Sequence, residues 1–130
     1  MKRFVLFFVL SLGAALAFKS AKADSIIVEY FTTLSVKDTY NSRGKPLNSV
    51  CAIVQQDRAN VHKFGNPDGE QPDAFFTTAA RRAMISGKCA YDRTHHTVDR
   101  IRSQFIGFVL VRVFGSGARV TRVEISEAAG

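Results

Sequence analysis

The chain is short of the features that usually declare a function. After residue 18 no apolar run approaches the roughly 20 residues a membrane-spanning helix needs. The most apolar later stretch, Phe105–Phe114, is interrupted by Gly107 and Arg112. That excludes a second anchor. There are only two cysteines, Cys51 and Cys89, and no C-x-x-C spacing. Two ligands cannot complete a structural zinc site. No G-x-S-x-G elbow is present, so no nucleophile announces itself and no catalytic residue is assigned. The basic residues are scattered, with Arg81-Arg82 and Arg100-x-Arg102 the only small clusters. Nucleic-acid binding calls for a denser stripe. No internal repeat or low-complexity tract divides the chain.

What is present begins at the N-terminus. Met1-Lys2-Arg3 is a basic head, Phe4 to Phe18 is an apolar stretch of 15 residues, and Ala21-Lys22-Ala23 is a small-x-small cleavage site. These are the three regions of a secretory signal peptide. Residues 1–23 are therefore expected to be removed, leaving residues 24–130 as one β-rich domain with no membrane anchor, periplasmic or secreted. No cysteine follows the cut, which argues against a lipoprotein. Loss of Lys2, Arg3, Lys19 and Lys22 lowers 18 basic residues to 14 against 11 acidic ones, so the formal charge falls from +7 to +3. Much of the basic character belongs to the leader. In an oxidising compartment Cys51 and Cys89 most simply form one disulfide. Closing that loop stabilises the fold by roughly 3–4 kcal/mol through the entropy it removes from the unfolded chain.

Along the mature chain, Ser25 to Val36 is rich in β-branched and aromatic residues and reads as a strand. Ile26, Val28, Tyr30, Thr32 and Leu34 share one face. Ser49 to Gln55 reads as a second strand carrying Cys51, and Asn60 to Phe64 as a short third. Gly65 to Pro72 is a surface loop ending at Asp73, an N-cap for a helix over residues 74–86. Phe76, Ala79, Ala80 and Ala83 would form its buried face, and Gly87 its left-handed stop. Lys88 to Arg93 reads as a strand, and residues 94–102 fit no single pattern. Gln104 to Phe114 and Arg119 to Ser126 read as an antiparallel hairpin across Gly115-Ser116-Gly117. Thr121, Val123 and Ile125 would point inward. One helix cannot support a doubly wound parallel sheet, so the expected class is α+β, mostly β. Two architectures suit it: a small curled antiparallel sheet crossed by one helix, or an OB-like barrel.

Chemistry-bearing residues concentrate in Asp92-Arg93-Thr94-His95-His96-Thr97-Val98-Asp99. Carboxylates and imidazoles together suit metal binding or acid–base work, which makes Asp92, His95, His96 and Asp99 the metal candidates. Adjacent histidines on a strand point to opposite faces, so convergence needs a loop. Tyr30, Tyr40 and Tyr91, with His95 and His96, are the candidate ligand-binding residues, because an aromatic face with a polar rim suits a sugar ring. His62 has no evident partner in sequence.

The order of parts resembles a known family. An exported chain with paired early strands, an early cysteine, a helix ending Ala83-Met84-Ile85-Ser86-Gly87-Lys88 and a closing strand Val120-Thr121-Arg122-Val123-Glu124-Ile125 looks like the small secreted OB-fold proteins that include B subunits of AB5-type bacterial toxins. The resemblance is one of layout. Tryptophan is absent, the cysteine pair spans the helix, and no glycan-binding residue carries over by position. It implies a non-catalytic, sugar-recognising subunit that forms homo-oligomeric rings. The leading expectation is an exported binding module for a protein or glycan, without a cofactor. The alternatives are a small periplasmic metal-dependent or hydrolytic enzyme using Asp92, His95, His96 and Asp99, and a structural subunit of an envelope assembly held by exposed strand edges.

Overall fold

The computed structural model describes residues 24–65, 70–103 and 107–128. The leader over residues 1–23 lies outside these. So do the centre of the Gly65–Pro72 loop and the start of the strand expected from Gln104.

Four strands form one open sheet in the order β1-β3-β4-β2. They are β1 (Ser25–Thr33), β2 (Cys89–Ala90), β3 (Phe108–Ser116) and β4 (Arg119–Glu127). β1 and β4 each run antiparallel to the central β3, and β2 runs parallel to β4. The class is mixed α+β, and the sheet is neither wholly antiparallel nor closed into a barrel. Three helices accompany it among the described residues: α1 (Val50–Phe64), α2 (Ala79–Ala83) and α3 (Val98–Arg102), with a 3-10 turn at Val36–Thr39.

The expected hairpin of the last two strands is present. Its register slips between Phe114 and Gly115, where Phe114 faces Arg122 and Gly115 faces Val120. Thr121 is the extra residue. The bulge sets it outside and turns Val120 in, so the inward set is Val120, Val123 and Ile125. Gly115 is required there, because an added Cβ would meet Arg119 O at 1.8 Å and Ile27 Cδ1 at 2.7 Å.

The largest correction concerns residues 49–64. Both strands expected there, Ser49–Gln55 and Asn60–Phe64, belong to α1. Ser49 caps that helix, its side chain accepting from Ala52 N–H. Its buried positions are Val50, Cys51, Ile53, Val54, Asp57, Arg58 and Val61, which follow the three- and four-residue spacing of one helical face. A seven-residue window around Cys51 cannot separate that spacing from alternation. In the longer window, two charged residues occupy inward positions and hide the stripe.

The helix expected over residues 74–86 shrinks to Ala79–Ala83, capped by Thr78. Asp73 does cap, but it caps a turn: its Oδ1 accepts from Phe75 and Phe76 N–H. Phe75 and Phe76 are both buried, ring against ring at 5.0 Å and 86°. The bonds from Phe75 and Phe76 N–H to Asp73 hold this segment in a turn, and the helix starts only after Thr78. Ala79, Ala80 and Ala83 are exposed, contrary to expectation. Arg81 and Arg82 fold back instead and donate to the carbonyls of Phe75 and Phe76. Gly87 has φ +71, the left-handed stop the sequence pattern calls for. The Lys88–Arg93 strand is reduced to two residues, and residues 98–102 become α3.

The core lies between one sheet face and the helices. Tyr30, Val109, Val111, Val113, Val123 and Ile125 from the sheet meet Val50, Ile53, Val54, Phe76, Ile85 and Ile101. On the opposite face Glu29, Phe31, Phe108, Leu110, Arg112 and Glu124 are all at least partly exposed. Cys51 and Cys89 are bonded to each other, with Cα atoms 5.5 Å apart. The bridge ties the first turn of α1 to β2. The expected pair is present, joining a helix to a strand. The outer edge of β1 is also occupied: Phe31 N–H donates to Gln71 Oε1, and Gln71 N–H donates to Phe31 O. Among the described residues no helix is long and apolar enough to cross a membrane.

Candidate functional site

The histidine segment does not assemble. His95 is exposed and pairs with Asp92 through Nδ1. That bond, with backbone N–H groups of Thr94 and His95, holds the Asp92 carboxyl down at about 2. His96 is 4 % exposed, and its ring nitrogens have no hydrogen-bond partner among the described residues. Asp99 sits exposed in the first turn of α3. One imidazole faces water and the other the interior, so the four candidates share no site.

The tyrosines separate in the same way. Tyr30 is 1 % exposed, with the Arg58 guanidinium 3.9 Å from its ring centroid. Burial pushes its hydroxyl well above the ordinary range, against the pull of Arg58. Tyr91 is half-buried against the core. Only Tyr40 of the three is substantially exposed, and it lines a cavity.

The denser chemistry lies along α1. Arg58 is fully buried and distributes its guanidinium among three oxygens and a carbonyl. Nε donates to Asp57 Oδ2 at 2.9 Å, Nη1 to Asp73 Oδ2 and Gln71 O at 3.0 Å each, and Nη2 to Thr32 Oγ1 at 3.1 Å. Thr32 Oγ1 donates to Asp57 Oδ1 at 2.8 Å. His62 Nε2 lies 3.0 Å from Asp73 Oδ2. Helical geometry explains the convergence. Residues 57, 58 and 61 fall on the inward face, and residues 60 and 62 on its flanks.

The ionisation of the cluster follows from its burial. Burial pushes the Asp57 carboxyl up to about 7, with Arg58 opposing and Asp38 reinforcing the rise. Burial also pushes Asp73 up, but bonds from Phe76 N–H, His62 and Arg58 outweigh it and leave that carboxyl below the ordinary range. Arg58 loses by burial and gains more from Asp57 and its other partners, so its charge is held firmly.

One oxygen each of Asp38, Asp57 and Glu70 lies within 4.8 Å of the others, all buried. This is the set a cation would use. The aspartate oxygens, however, already accept. Asp57 takes Thr32 and Arg58, and Asp38 takes Asn60 Nδ2 at 2.8 Å and Ser35 N–H at 3.0 Å. The two aspartates are thus bonded within the protein.

Above this core is an open cavity of about 410 Å³. Tyr40 and Phe64, 40 % and 68 % exposed, supply its aromatic surface. Gln56, Asn60 and Lys63 line it from α1, Lys37, Asn41 and Ser42 from the facing segment, and the buried Glu70 from beneath. The amides are oriented. Gln56 Nε2 donates to Asn60 Oδ1 at 2.9 Å, and Asn60 donates to Asp38, which leaves Gln56 Oε1 as an acceptor. Asn41 Oδ1 accepts from Arg43 and Lys45 N–H at 2.9 Å each, which leaves its NH2 as a donor. A second cleft of about 330 Å³ shares Asn41 and Gln56 with the first and continues past Ala52, Gln55 and Ala59 to Arg82.

Comparison with protein-family profiles, curated proteins and solved structures returns no match. Reasoning from sequence does not single out Asp57, Arg58, Asn60 or Glu70, and it reads Asp73 only as a helix N-cap. The run Gln56-Asp57-Arg58-Ala59-Asn60-Val61-His62 carried the signal, once the segment is placed on a helix.

Proposed function

We propose that this chain is an exported, non-enzymatic binding module, and that its ligand is a glycan seated against α1. The single observation that carries the reading is the cavity between Tyr40 and Phe64, with its oriented amides. Sugars are held by aromatic faces against their C–H surfaces and by side chains that offer both donors and acceptors. Gln56 Oε1 and the Asn41 NH2 are such a pair. A concave site suits one or a few rings better than the flat patch typical of a protein partner. The ionic groups of a type suited to acid–base work, Asp57, Arg58, Asp73 and His62, are bonded to one another beneath the site. The enzymatic alternative through Asp92, His95, His96 and Asp99 finds no support in where those side chains lie.

Export rests on the leader pattern and is supported by the disulfide. The toxin-subunit likeness adds a ring-shaped homo-oligomer to the proposal. Light scattering on the purified protein tests that part, and a strict monomer removes it. The glycan reading is tested on a saccharide array with the wild-type protein and Tyr40→Ala. Selective binding that Tyr40→Ala weakens at least tenfold supports it. An array without any binding refutes it.

A further inference from the structure

The two cavities are halves of one groove. They share Asn41 and Gln56, and together they follow the exposed side of α1 from Ala52 to Phe64. At about 1.5 Å per residue that path is about 18 Å long, too long for a single sugar ring. Its lining carries cations. Lys63 is exposed, its ammonium 5.2 Å from the Phe64 ring centroid. Arg82 lines the second cavity, one of its nitrogens bonded to Phe76 O. Beside them lie the neutral amides of Asn41, Gln55, Gln56 and Asn60, a further cation, Lys37, and the buried carboxylate of Glu70. Neutral amides set among three cations, Lys37, Lys63 and Arg82, against the one buried carboxylate of Glu70, match a ligand with hydroxyls along its length and acid groups spaced along it.

We propose that the groove takes an acidic oligosaccharide of several rings, with carboxylate groups toward Lys63 and Arg82 and one ring stacked on Tyr40 or Phe64. This rests on the glycan reading above and goes further, by naming the charge and the length of the ligand. Lys63 is exposed and Arg82 partly so, and their ion contacts select among sugars and are weakened by salt, while the aromatic stack and the amides hold.

The test uses the full mature protein and three probes: an oligogalacturonate, its neutral methyl ester, and poly-glutamate of similar length. Titration calorimetry at low salt is expected to give at least tenfold tighter binding of the acid than of the ester. Lys63→Gln should reduce that preference several-fold without changing the melting temperature, and Tyr40→Ala should weaken both sugars. Longer oligomers should bind better than a single galacturonate. Equal binding of acid and ester, unaffected by Lys63→Gln, overturns this inference and leaves the glycan reading standing. Poly-glutamate binding as tightly as the sugar overturns it too, since charge alone would then suffice. Failure of both sugars overturns the inference together with the reading beneath it.

Discussion

Asn60 donates to the buried carboxylate of Asp38 at 2.8 Å while accepting from Gln56 at 2.9 Å on the cavity wall. One amide thus joins the sealed acidic cluster to the open groove. Its orientation is settled by its partners, since only the NH2 can serve a carboxylate.

Asn60→Asp should therefore act in both places. It sets a second carboxylate against Asp38 and removes the donor. A loss of about 1–3 kcal/mol in urea unfolding is expected, with weaker saccharide binding because Gln56 loses its fixed rotamer. Asn60→Gln, which keeps both groups, should lose less.

Arg58 is the cation that Asp57 and Asp73 share. Arg58→Met leaves those carboxylates buried without it, and a cost of about 3–5 kcal/mol is expected by denaturant titration. Arg58→Lys should rescue little. A single ammonium cannot reach Asp57, Asp73 and Thr32 at once, nor lie flat over the Tyr30 ring.

Asp57 gives the fold a pH dependence of definite sign. Its folded pKa, about 7, lies above the value of about 3.9 in an unfolded chain. The folded state therefore holds the proton more tightly. The stability this group contributes is full below about pH 4 and is lost as pH rises toward about 7. Asp73 works the other way, since its folded pKa is lowered. Its contribution is present at neutral pH and fades as the solution becomes strongly acidic. Unfolding free energy measured from pH 4 to 8 should show a declining component that Asp57→Asn removes. A slope unchanged in that variant would assign the effect elsewhere.

The two neighbouring histidines should behave differently. His95→Ala removes an exposed pair and should leave the melting temperature unchanged. His96→Ala empties a buried position and should cost on the order of 1–3 kcal/mol. Neither substitution should alter metal content or saccharide binding. A bound metal lost on mutating either would revive the enzymatic alternative.

The parts of this fold legible in the sequence were those governed by local chemistry. β1, the closing hairpin, the Cys51–Cys89 bridge and the left-handed Gly87 all follow from residue type and spacing. Tyr40 was among the candidate ligand residues and does line the cavity. α1 is hidden in the sequence because its inward stripe includes Asp57 and Arg58, whose burial depends on partners distant along the chain, among them Asp73 and Thr32. No local pattern reports such pairing. The helix expected over residues 74–86 failed for a similar reason: Phe75 and Phe76 both find places in the core, and only tertiary packing decides that. Two adjacent histidines between two aspartates attracted attention as a motif, but one turn of backbone separated them into water and core.

Chemical-shift mapping of the isotope-labelled protein with an acidic oligosaccharide tests the groove most directly. Perturbations confined to Tyr40, Asn41, Gln56, Asn60, Lys63 and Phe64, with saturable binding and no turnover of the sugar, are the predicted result. Perturbations centred instead on residues 92–99 or on the outer sheet face around Phe31 and Phe108, or steady cleavage of the sugar, would contradict it.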